Sequence, residues 1–250
     1  MLTPEQRDRL EIVLVSPRNP LNIGAVARAM ANFGFDHLTV AAAYDPHWRE
    51  AKSAVGAPDL LQHAREVESM AEAVATCTFV AGTGTLTHRK PEQQVVSLPD
   101  LSPMIERELA CGGRVALVFG PEKHGLTRDD LSFCNVLVEI PTDPRQPSMN
   151  LGQAAAVCLY ELACRPAQGT AISAPETSAA TSLHLDRLAH LIEETMTAAE
   201  YSPRAMHDAN RHDLRVLLRR LGPSAQDTHR IMGLFRRILW RLKRDSTHPS

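Results

Sequence analysis

Short apolar runs alternate with amphipathic or alanine-rich stretches from the N-terminus to about residue 164. Apolar runs of about four to eight residues between turn signals are typical of buried strands, and the stretches between them have the length and composition of helices. The pattern predicts strands at 11–16, 37–43, 78–84, 114–119 and 136–140, helices at 22–34, 104–110 and 150–164, and a helical stretch over 48–76 that breaks at Gly56 and Pro58. The polar residues 85–100 are predicted to form a mobile loop.

The alternation of strands and helices predicts an α/β fold with a mostly parallel sheet and helices on both faces. Ligands of such folds bind where the strands end, at their carboxyl edge. Small and polar residues follow four of the predicted strands, at 16–22, 82–85, 120–125 and 141–150. We therefore expect a ligand site built from these four segments.

Two of the predicted helices begin at an asparagine, a residue that caps helix N-termini well. Asn22 precedes the helix that ends at Gly34, and Asn150 precedes the helix that runs to about residue 164. Both side chains are expected to accept hydrogen bonds from the first turn of their helix, and Gly34 to end its helix in a left-handed conformation.

The composition changes after the last predicted helix of the sheet region. Pro, Ala, Ser and Thr without periodicity fill residues 166–181, which predicts a linker between a domain at 1–165 and a helical basic region at 182–250. Within 211–244, only two acidic residues accompany ten basic ones: Arg211, Arg215, Arg219, Arg220, Arg230, Arg236, Arg237, Arg241, Lys243 and Arg244. This amphipathic region is either a solvated helix face that packs on its own domain or a surface for nucleic-acid phosphates.

Composition limits the class of protein further. The five cysteines, Cys77, Cys111, Cys134, Cys158 and Cys164, lack CxxC spacing, which favours buried thiols in a reducing cytoplasm over a disulfide framework or a metal site. No apolar run is long enough for a membrane span, and the charged N-terminus does not resemble a signal peptide. A cytoplasmic protein is expected. The net charge of −2 does not indicate whether the protein binds nucleic acid.

The predicted loops exclude two common nucleotide sites. A dinucleotide fold needs G-x-G-x-x-G after the first strand, whereas SPRNPLNIG has one glycine. GPEKHGLT (120–127) has the glycine spacing of a phosphate-binding P-loop, but Leu126 replaces its lysine. A nicotinamide-dependent oxidoreductase and an NTPase are therefore disfavoured. S-adenosylmethionine fits better, because its sulfonium needs no anion hole.

Three segments then resemble the three motifs of a known family. NPLNIGAVARAM (19–30), LVFGPEKHGL (117–126) and IPTDPRQPSMNL (140–151) are similar to the motifs of the SPOUT/TrmH superfamily of RNA ribose 2′-O-methyltransferases, in the same order over about 11–164. The basic helical tail, with Leu-Phe-Arg-Arg at 234–237, narrows the resemblance to the TrmJ type, which methylates nucleotide 32 in the tRNA anticodon loop.

The resemblance implies a SPOUT fold in which residues 114–164 form a trefoil knot, an exception to the rule that knots are essentially absent from proteins. It also implies S-adenosylmethionine as cofactor, tRNA as substrate and a homodimer whose active site is completed across the interface. Two alternatives stay open: a ribosomal RNA 2′-O-methyltransferase of the same superfamily, and a non-catalytic RNA-binding protein with this fold.

Residue roles follow from the matching motif positions. The resemblance implies five residues at the methyl-transfer site: Arg28, Ser148, Asn22, Glu122 and Asn150. It implies cofactor contacts from Thr83, Gly84, Thr85, Gly120, Ile140, Pro147, Ser148 and Met149, and no metal.

Each of these positions also has a purely structural interpretation. Arg28 would orient the 2′-hydroxyl and a phosphate, because a guanidinium stays protonated and is a poor base; otherwise it is a surface arginine. Glu122 would fix the loop or the geometry of Arg28, or is an acid favoured by a helix dipole. Asn22 and Asn150 would otherwise only cap their helices, and the role of Arg145, in the third motif, stays open.

Overall fold

A computed structural model of the chain describes residues 2–84, 91–164, 178–201 and 206–247, with side chains described as far as residue 244. Seven strands form one sheet in the order β3-β2-β1-β6-β4-β7-β5, and every pairing between neighbouring strands is parallel. The predicted α/β class with a mostly parallel sheet is confirmed. The strands are β1 (Leu10–Val15), β2 (Leu38–Ala41), β3 (Arg65–Val67), β4 (Phe79–Thr83), β5 (Gln94–Ser97), β6 (Val115–Phe119) and β7 (Val136–Glu139).

Helices cover both faces of the sheet. Their buried side chains and those of the strands form one apolar cluster on each face. One face carries the second, fifth and seventh helices, and the other carries the fourth and sixth. The helices are α1 (Pro4–Arg7), α2 (Pro20–Phe33), α3 (Pro58–His63), α4 (Met70–Ala73), α5 (Leu98–Ala110), α6 (Arg128–Leu131), α7 (Leu151–Cys164), α8 (Ser182–Ala198), α9 (His207–Leu221) and α10 (Ala225–Thr247), with a 3-10 turn at Trp48–Glu50.

The sequence pattern missed both edge strands. β3 lies inside the stretch predicted to be helical over 48–76, and β5 lies inside the predicted loop 85–100. Both are short, and most of their residues are exposed. An edge strand buries too little surface to leave an apolar run in the sequence, so its hydrogen-bonded partner decides its conformation.

Helix α5 begins six residues earlier than predicted, at Leu98 instead of residue 104. Pro99 and Pro103 lie in this extension. Pro99 is in the first turn, where a missing N–H costs nothing because it would have no partner inside the helix. These prolines hid the start of the helix from the sequence pattern.

Helices α2 and α7 pack against each other unusually closely. A Cβ atom added at Gly152 would lie 2.7 Å from Cβ of Ala25. The absence of a side chain at Gly152 therefore lets the start of α7 approach α2 closely at Ala25. This contact joins the segments that the sequence identified as the first and third motifs.

The C-terminal helices α8–α10 dock on the α4 and α6 side of the sheet region. The backbone of Ser182 donates to the Cys77 carbonyl over 2.8 Å, and the guanidinium of Arg215 lies 4.3 Å from the Phe133 ring centroid. Arg215 also contacts Asp129 over 2.8 Å, between α9 and α6. The helices thus pack on the sheet region through hydrogen bonds, an aromatic contact and an ion pair.

The predicted linker 166–181 lies largely outside the described residues. Its last part, from residue 178, is ordered against the C-terminal helices, since Ala179 forms an isolated β-bridge with Ser224 and Thr181 caps α8. The division into two domains stays a prediction, as does the trefoil knot over 114–164. Among the described helices, none is both long and apolar enough to cross a membrane.

The cysteines are free, and most of them are shielded from solvent. Cys77, Cys134 and Cys158 are buried, and this burial raises the pKa of each thiol to about 12. Cys111 is partly buried. The expectation of a buried thiol is wrong for Cys164, which is exposed at the end of α7.

We expect the buried arginine of α9 to stabilise the docked helices. The Arg219 side chain is 1% exposed and bonds Asp186 over 3.1 Å and Ser182 over 2.8 Å. Arg219→Ala leaves Asp186 without its main partner and should lower the free energy of unfolding by about 3 kcal/mol, measured by urea denaturation. Arg230→Ala is the matched control, because this exposed arginine has Asp227, at 3.8 Å, as its one ion-pair partner among the described residues; it should cost less than about 0.5 kcal/mol. Equal losses would contradict the role of Arg219.

Candidate active site

A cavity of about 240 Å³ lies at the carboxyl ends of β4, β6 and β7. Three of the four predicted segments, 82–85, 120–125 and 141–150, contribute to its walls, whereas the fourth, 16–22, does not line it. Seven of the eight predicted cofactor contacts line it: Thr83, Gly84, Gly120, Ile140, Pro147, Ser148 and Met149. Thr85 lies outside the described residues.

The loop after β6 folds back over its own first residue. A Cβ atom at Gly120 would approach the backbone of Gly125 and Leu126 well inside 3.0 Å, which real Cβ atoms essentially never do. Only glycine fits there without moving the loop. The folded loop brings Lys123 and His124 to the cavity, two residues that the sequence analysis did not single out.

Hydrogen bonds between strands hold the β4 wall in place. The hydroxyl of Thr83 donates to the carbonyl of Val118 over 3.0 Å, and the backbone N–H of Gly84 donates to the carbonyl of Val138 over 3.3 Å. The Thr83 side chain is therefore occupied within the protein. Its contribution to the cavity is a fixed wall.

The loop between β7 and α7 is closed by its own polar contacts. The Thr142 hydroxyl donates to the Pro147 carbonyl over 3.3 Å. The guanidinium of Arg145 donates to both carboxylate oxygens of Asp143, over 3.0 and 2.7 Å, and these hydrogen bonds lower the pKa of Asp143. Arg145 thus pairs with a neighbour in its own loop, whereas Ser148 is exposed on the cavity wall and makes no hydrogen bond within the described part of the chain.

A chain of polar side chains crosses the rim of the cavity. Nδ2 of Asn150 donates to Oδ1 of Asn22 over 3.0 Å, and Nδ2 of Asn22 donates to Oε1 of Glu122 over 2.9 Å. Asn150 also caps α7, because its Oδ1 accepts from the backbone of Gly152 over 2.9 Å. The three predicted site residues Asn22, Glu122 and Asn150 therefore lie together and touch.

The prediction that Asn22 caps α2 is wrong. The helix begins earlier, at Pro20, and its cap is Asn19, whose Oδ1 accepts from the backbone of Leu21 over 3.0 Å. Pro20 suits the first helical position because its missing N–H would find no partner inside the helix. Asn22 is inside the first turn, so its amide is available to link Glu122 with Asn150.

Glu122 binds the turn that enters α2. Besides Asn22, its carboxylate accepts from the backbone N–H groups of Arg18 and Asn19, each over 3.2 Å. Partial burial raises the pKa of Glu122, but the hydrogen bond from Asn22 and those from the backbone outweigh it and hold the pKa below its ordinary value. Glu122 is therefore an anion that positions its neighbours and a weak proton acceptor.

Arg28 lies apart from the other predicted site residues. It is exposed on α2, six residues beyond Asn22 or about 9 Å along the helix axis. It does not line the cavity, and it makes no hydrogen bond or ion pair within the described residues. One copy of the chain thus brings Ser148, Asn22, Glu122 and Asn150 together without Arg28.

The arrangement suits a ligand held by walls and backbone more than one held by charge. The cavity has an apolar lining from Phe119, Leu126, Ile140 and Met149. The backbone at Gly120, which has no side chain, also borders it. The described residues hold no group of His, Cys, Asp or Glu side chains placed to bind a metal ion. Such a site can position two reactants, and the lowered pKa of Glu122 makes that carboxylate unsuited to serve as a general acid.

Comparisons with a family model and with known proteins agree on one family. The model of the SpoU rRNA Methylase family matches residues 9–160. The tRNA (cytidine/uridine/adenosine-2′-O-)-methyltransferase TrmJ of Pseudomonas aeruginosa is 39% identical, in a match that covers 62% of this chain and 60% of that protein. The tRNA (cytidine/uridine-2′-O-)-methyltransferase TrmJ of Pectobacterium atrosepticum is 31% identical over 91% of this chain and 95% of the relative.

A solved structure is similar along most of the chain. The crystal structure of TrmJ from Z. mobilis superposes with a TM-score of 0.80 at 28% identity, covering 91% of this chain and 98% of that one. The similarity therefore extends over the C-terminal helices as well as the sheet.

The carboxylate of Glu122 should make a pH-dependent contribution to stability. Because its folded-state pKa lies below the ordinary 4.5, the contribution is complete above pH 4.5 and is lost as the pH falls through the folded-state pKa. At pH 7 we expect Glu122→Gln to lower the free energy of unfolding by about 1 kcal/mol. The glutamine NH₂ group cannot accept the hydrogen bonds that one of the carboxylate oxygens accepts. Urea denaturation from pH 7 to 3 measures the difference. Glu5→Gln, an exposed control, should change stability by less than about 0.5 kcal/mol throughout; a Glu122 effect that is independent of pH would contradict this account.

Proposed function

The chain belongs to the SpoU rRNA Methylase family, and from that premise we propose that it transfers a methyl group from S-adenosylmethionine to a ribose 2′-hydroxyl of tRNA. The target is the cytidine or uridine at nucleotide 32 of the anticodon loop. The observation that carries the proposal is one cavity, walled by the segments of the second and third motifs, with the Asn150–Asn22–Glu122 chain at its rim. The names of the two TrmJ relatives support tRNA as the substrate.

The residues of the cavity fit the cofactor. Gly120 provides close backbone approach, and Leu126 and Ile140 provide apolar surface for an adenine ring. Among the described residues, Lys123 is the one lysine or arginine that lines the cavity, which agrees with a ligand whose reactive group is a cation. Bound there, S-adenosylmethionine supplies an electrophilic methyl group.

Methyl transfer to a hydroxyl depends on placement. The ribose oxygen must lie about 3 Å from the methyl carbon, in line with the bond that breaks. The new oxygen–carbon bond would form as the carbon–sulfur bond breaks, which leaves a neutral thioether. The hydroxyl proton would pass to solvent water, because neither Glu122, whose pKa is lowered, nor a guanidinium is suited to take it. The chain therefore contributes mainly by holding the ribose: Ser148 faces the cavity, and the rim amides fix the loop that carries it.

We propose that the active unit is a homodimer in which the partner's Arg28 completes each site. Arg28 lies outside the cavity of its own chain and has no partner within the described residues. Large apolar side chains are exposed on the two packed helices that flank the site: Leu21 on α2, and Val157 and Tyr160 on α7. A second copy packed on these helices would cover them and bring an arginine to the ribose and its phosphate.

The C-terminal helices divide their basic residues between two tasks. Arg211 and Arg219 pair with Glu193 and Asp186 of α8, and Arg215 pairs with Asp129 of α6. These pairs support the interpretation that the region packs on its own domain. Arg220, Arg236 and Arg237 are exposed, with no carboxylate partner in the part of the chain that the structure describes. We assign these three to the phosphates of tRNA, a substrate that implies a cytoplasmic location.

The direct test is transfer of a radiolabelled methyl group to an unmodified tRNA transcript, followed by mapping of the methylated nucleotide. Wild-type protein should label tRNA at nucleotide 32. Arg28→Ala should lower turnover at least about 100-fold, with S-adenosylmethionine affinity by calorimetry within a few-fold of wild type. Labelling of ribosomal RNA alone, or binding of tRNA without transfer, would contradict the proposal and favour one of the two alternatives.

Mixing two inactive variants tests whether the site is shared. Gly120→Val should block the cavity, and Arg28→Ala removes the arginine. Co-expressed, they form mixed dimers that contain one intact cavity beside one intact arginine, so about one quarter of wild-type activity should return if pairing is random. No recovery, in dimers shown to be mixed, would mean that Arg28 serves its own chain or is structural.

The exposed arginines of α10 should contribute to tRNA binding through charge alone. Replacing Arg236 and Arg237 together by glutamine should weaken tRNA binding and reduce the slope of log affinity against log salt by about 1 to 2. The slope falls because binding with fewer phosphate contacts releases fewer counterions from the RNA. Filter binding between 50 and 200 mM salt measures both effects. Arg107→Gln on α5, at the opposite face of the sheet, is the control. An unchanged slope in the double variant would mean that α10 only packs or dimerises.

A further inference from the structure

An arginine and a tyrosine lie against each other beside the rim of the cavity. The guanidinium carbon of Arg18 is 5.4 Å from the centroid of the Tyr44 ring. Both residues are exposed, and Tyr44 is 73% exposed, so much of its ring surface remains accessible. We call these two residues the Arg18–Tyr44 pair.

The pair is tied to the site by the backbone. The N–H of Arg18 donates to Oε2 of Glu122, which lines the cavity, and Oε1 of Glu122 in turn binds Asn22. The same hydrogen bonds that order the rim therefore fix the position of Arg18 relative to the cavity.

Two strained residues direct the chain into this pair. Ser16 follows β1 with φ of 45°, and Ala42 follows the neighbouring strand β2 with φ of 49°. Residues other than glycine rarely adopt a positive φ, and where they do the strain often serves a functional site. The two turns bring Arg18 and Tyr44 together at the carboxyl edge of the sheet, the edge where the cavity lies.

Arg18 differs from the other arginines of this part of the fold. Arg49 pairs with Glu66 over 2.6 Å, and Arg65 pairs with Glu11 over 3.1 Å. Within the described residues, the Arg18 side chain has no carboxylate partner and rests only on the ring of Tyr44. Its charge and its planar face are thus available to a ligand.

We propose that the Arg18–Tyr44 pair is a stacking platform that holds a nucleobase of the substrate RNA, at or next to the nucleotide whose ribose is methylated. The inference rests on the proposed function and adds positioning residues to it. Aromatic rings and guanidinium planes both stack on bases that are splayed out of a single-stranded loop. Arg18 can, in addition, bind a phosphate of the same strand.

Stacking also explains how one site accepts more than one base. Every base has a flat π-face, so a platform that stacks a base without reading its hydrogen-bonding edge tolerates cytidine and uridine alike. The platform would fix where the base lies, and hence where its ribose lies relative to the cavity. The loss of the platform should therefore affect both nucleotides similarly.

The test uses full-length protein and an anticodon stem-loop with 2-aminopurine at nucleotide 32 or at a neighbouring position. Stacking on an aromatic ring lowers 2-aminopurine fluorescence, so the wild-type complex should be dim and the Tyr44→Ala complex brighter. Tyr44→Phe and Tyr44→Trp keep a ring and should stay dim. With unmodified tRNA, Tyr44→Ala should raise KM for tRNA about tenfold, and leave S-adenosylmethionine affinity and the melting temperature unchanged.

The matched control is Tyr201→Ala, which removes a tyrosine of similar exposure, 75%, after α8; its fluorescence and KM should equal those of wild type. Equal fluorescence in wild type and Tyr44→Ala, or failure of Phe and Trp to restore KM, would overturn the platform. Because the fluorescence does not require methyl transfer, it decides this inference even if wild-type protein labels no tRNA, an outcome that would refute the proposed function separately.

Discussion

The carboxylate of Glu122 connects the three segments on which the site depends. It follows β6, yet it accepts hydrogen bonds from the turn after β1 and from Asn22 in the first turn of α2. Asn22 passes the connection to Asn150 at the start of α7. Residues about one hundred positions apart in the chain are thereby held within hydrogen-bonding distance, and a partly buried anion with three donors keeps its charge there.

The parallel sheet makes this connection possible. β6 pairs with β1 on one side and with β4 on the other, and β4 pairs with β7, so the loops that follow these strands emerge at one edge. Gly120 lets the loop after β6 fold back at that edge, and Gly152 lets α7 pack close to α2. The cavity is thus a consequence of strand order together with two positions where a side chain would collide.

The basic residues of the C-terminal helices show how burial assigns different tasks to one sequence pattern. Arg219 and Arg236 both belong to the run of basic residues, but Arg219 is buried against Asp186 and Arg236 is exposed. A buried guanidinium needs a carboxylate partner, whereas an exposed one can exchange solvent for phosphate. The interpretation that the region packs on its own domain therefore holds for Arg219, and the phosphate surface stays a proposal for the exposed arginines.

By itself, the sequence determined the α/β class, the five interior strands, the helices that flank the site and the loops that form it, because burial on both sides leaves apolar runs and glycine leaves a turn signal. The family motifs also indicated which residues line the cavity. Only the tertiary structure decided that β3 and β5 complete the sheet, that Asn19 and not Asn22 caps α2, and that Arg28 lies outside its own cavity. These three features depend on partners that lie far away in the chain: the neighbours of an edge strand, the contacts of each asparagine and the surroundings of an exposed arginine. The local sequence pattern does not indicate such partners.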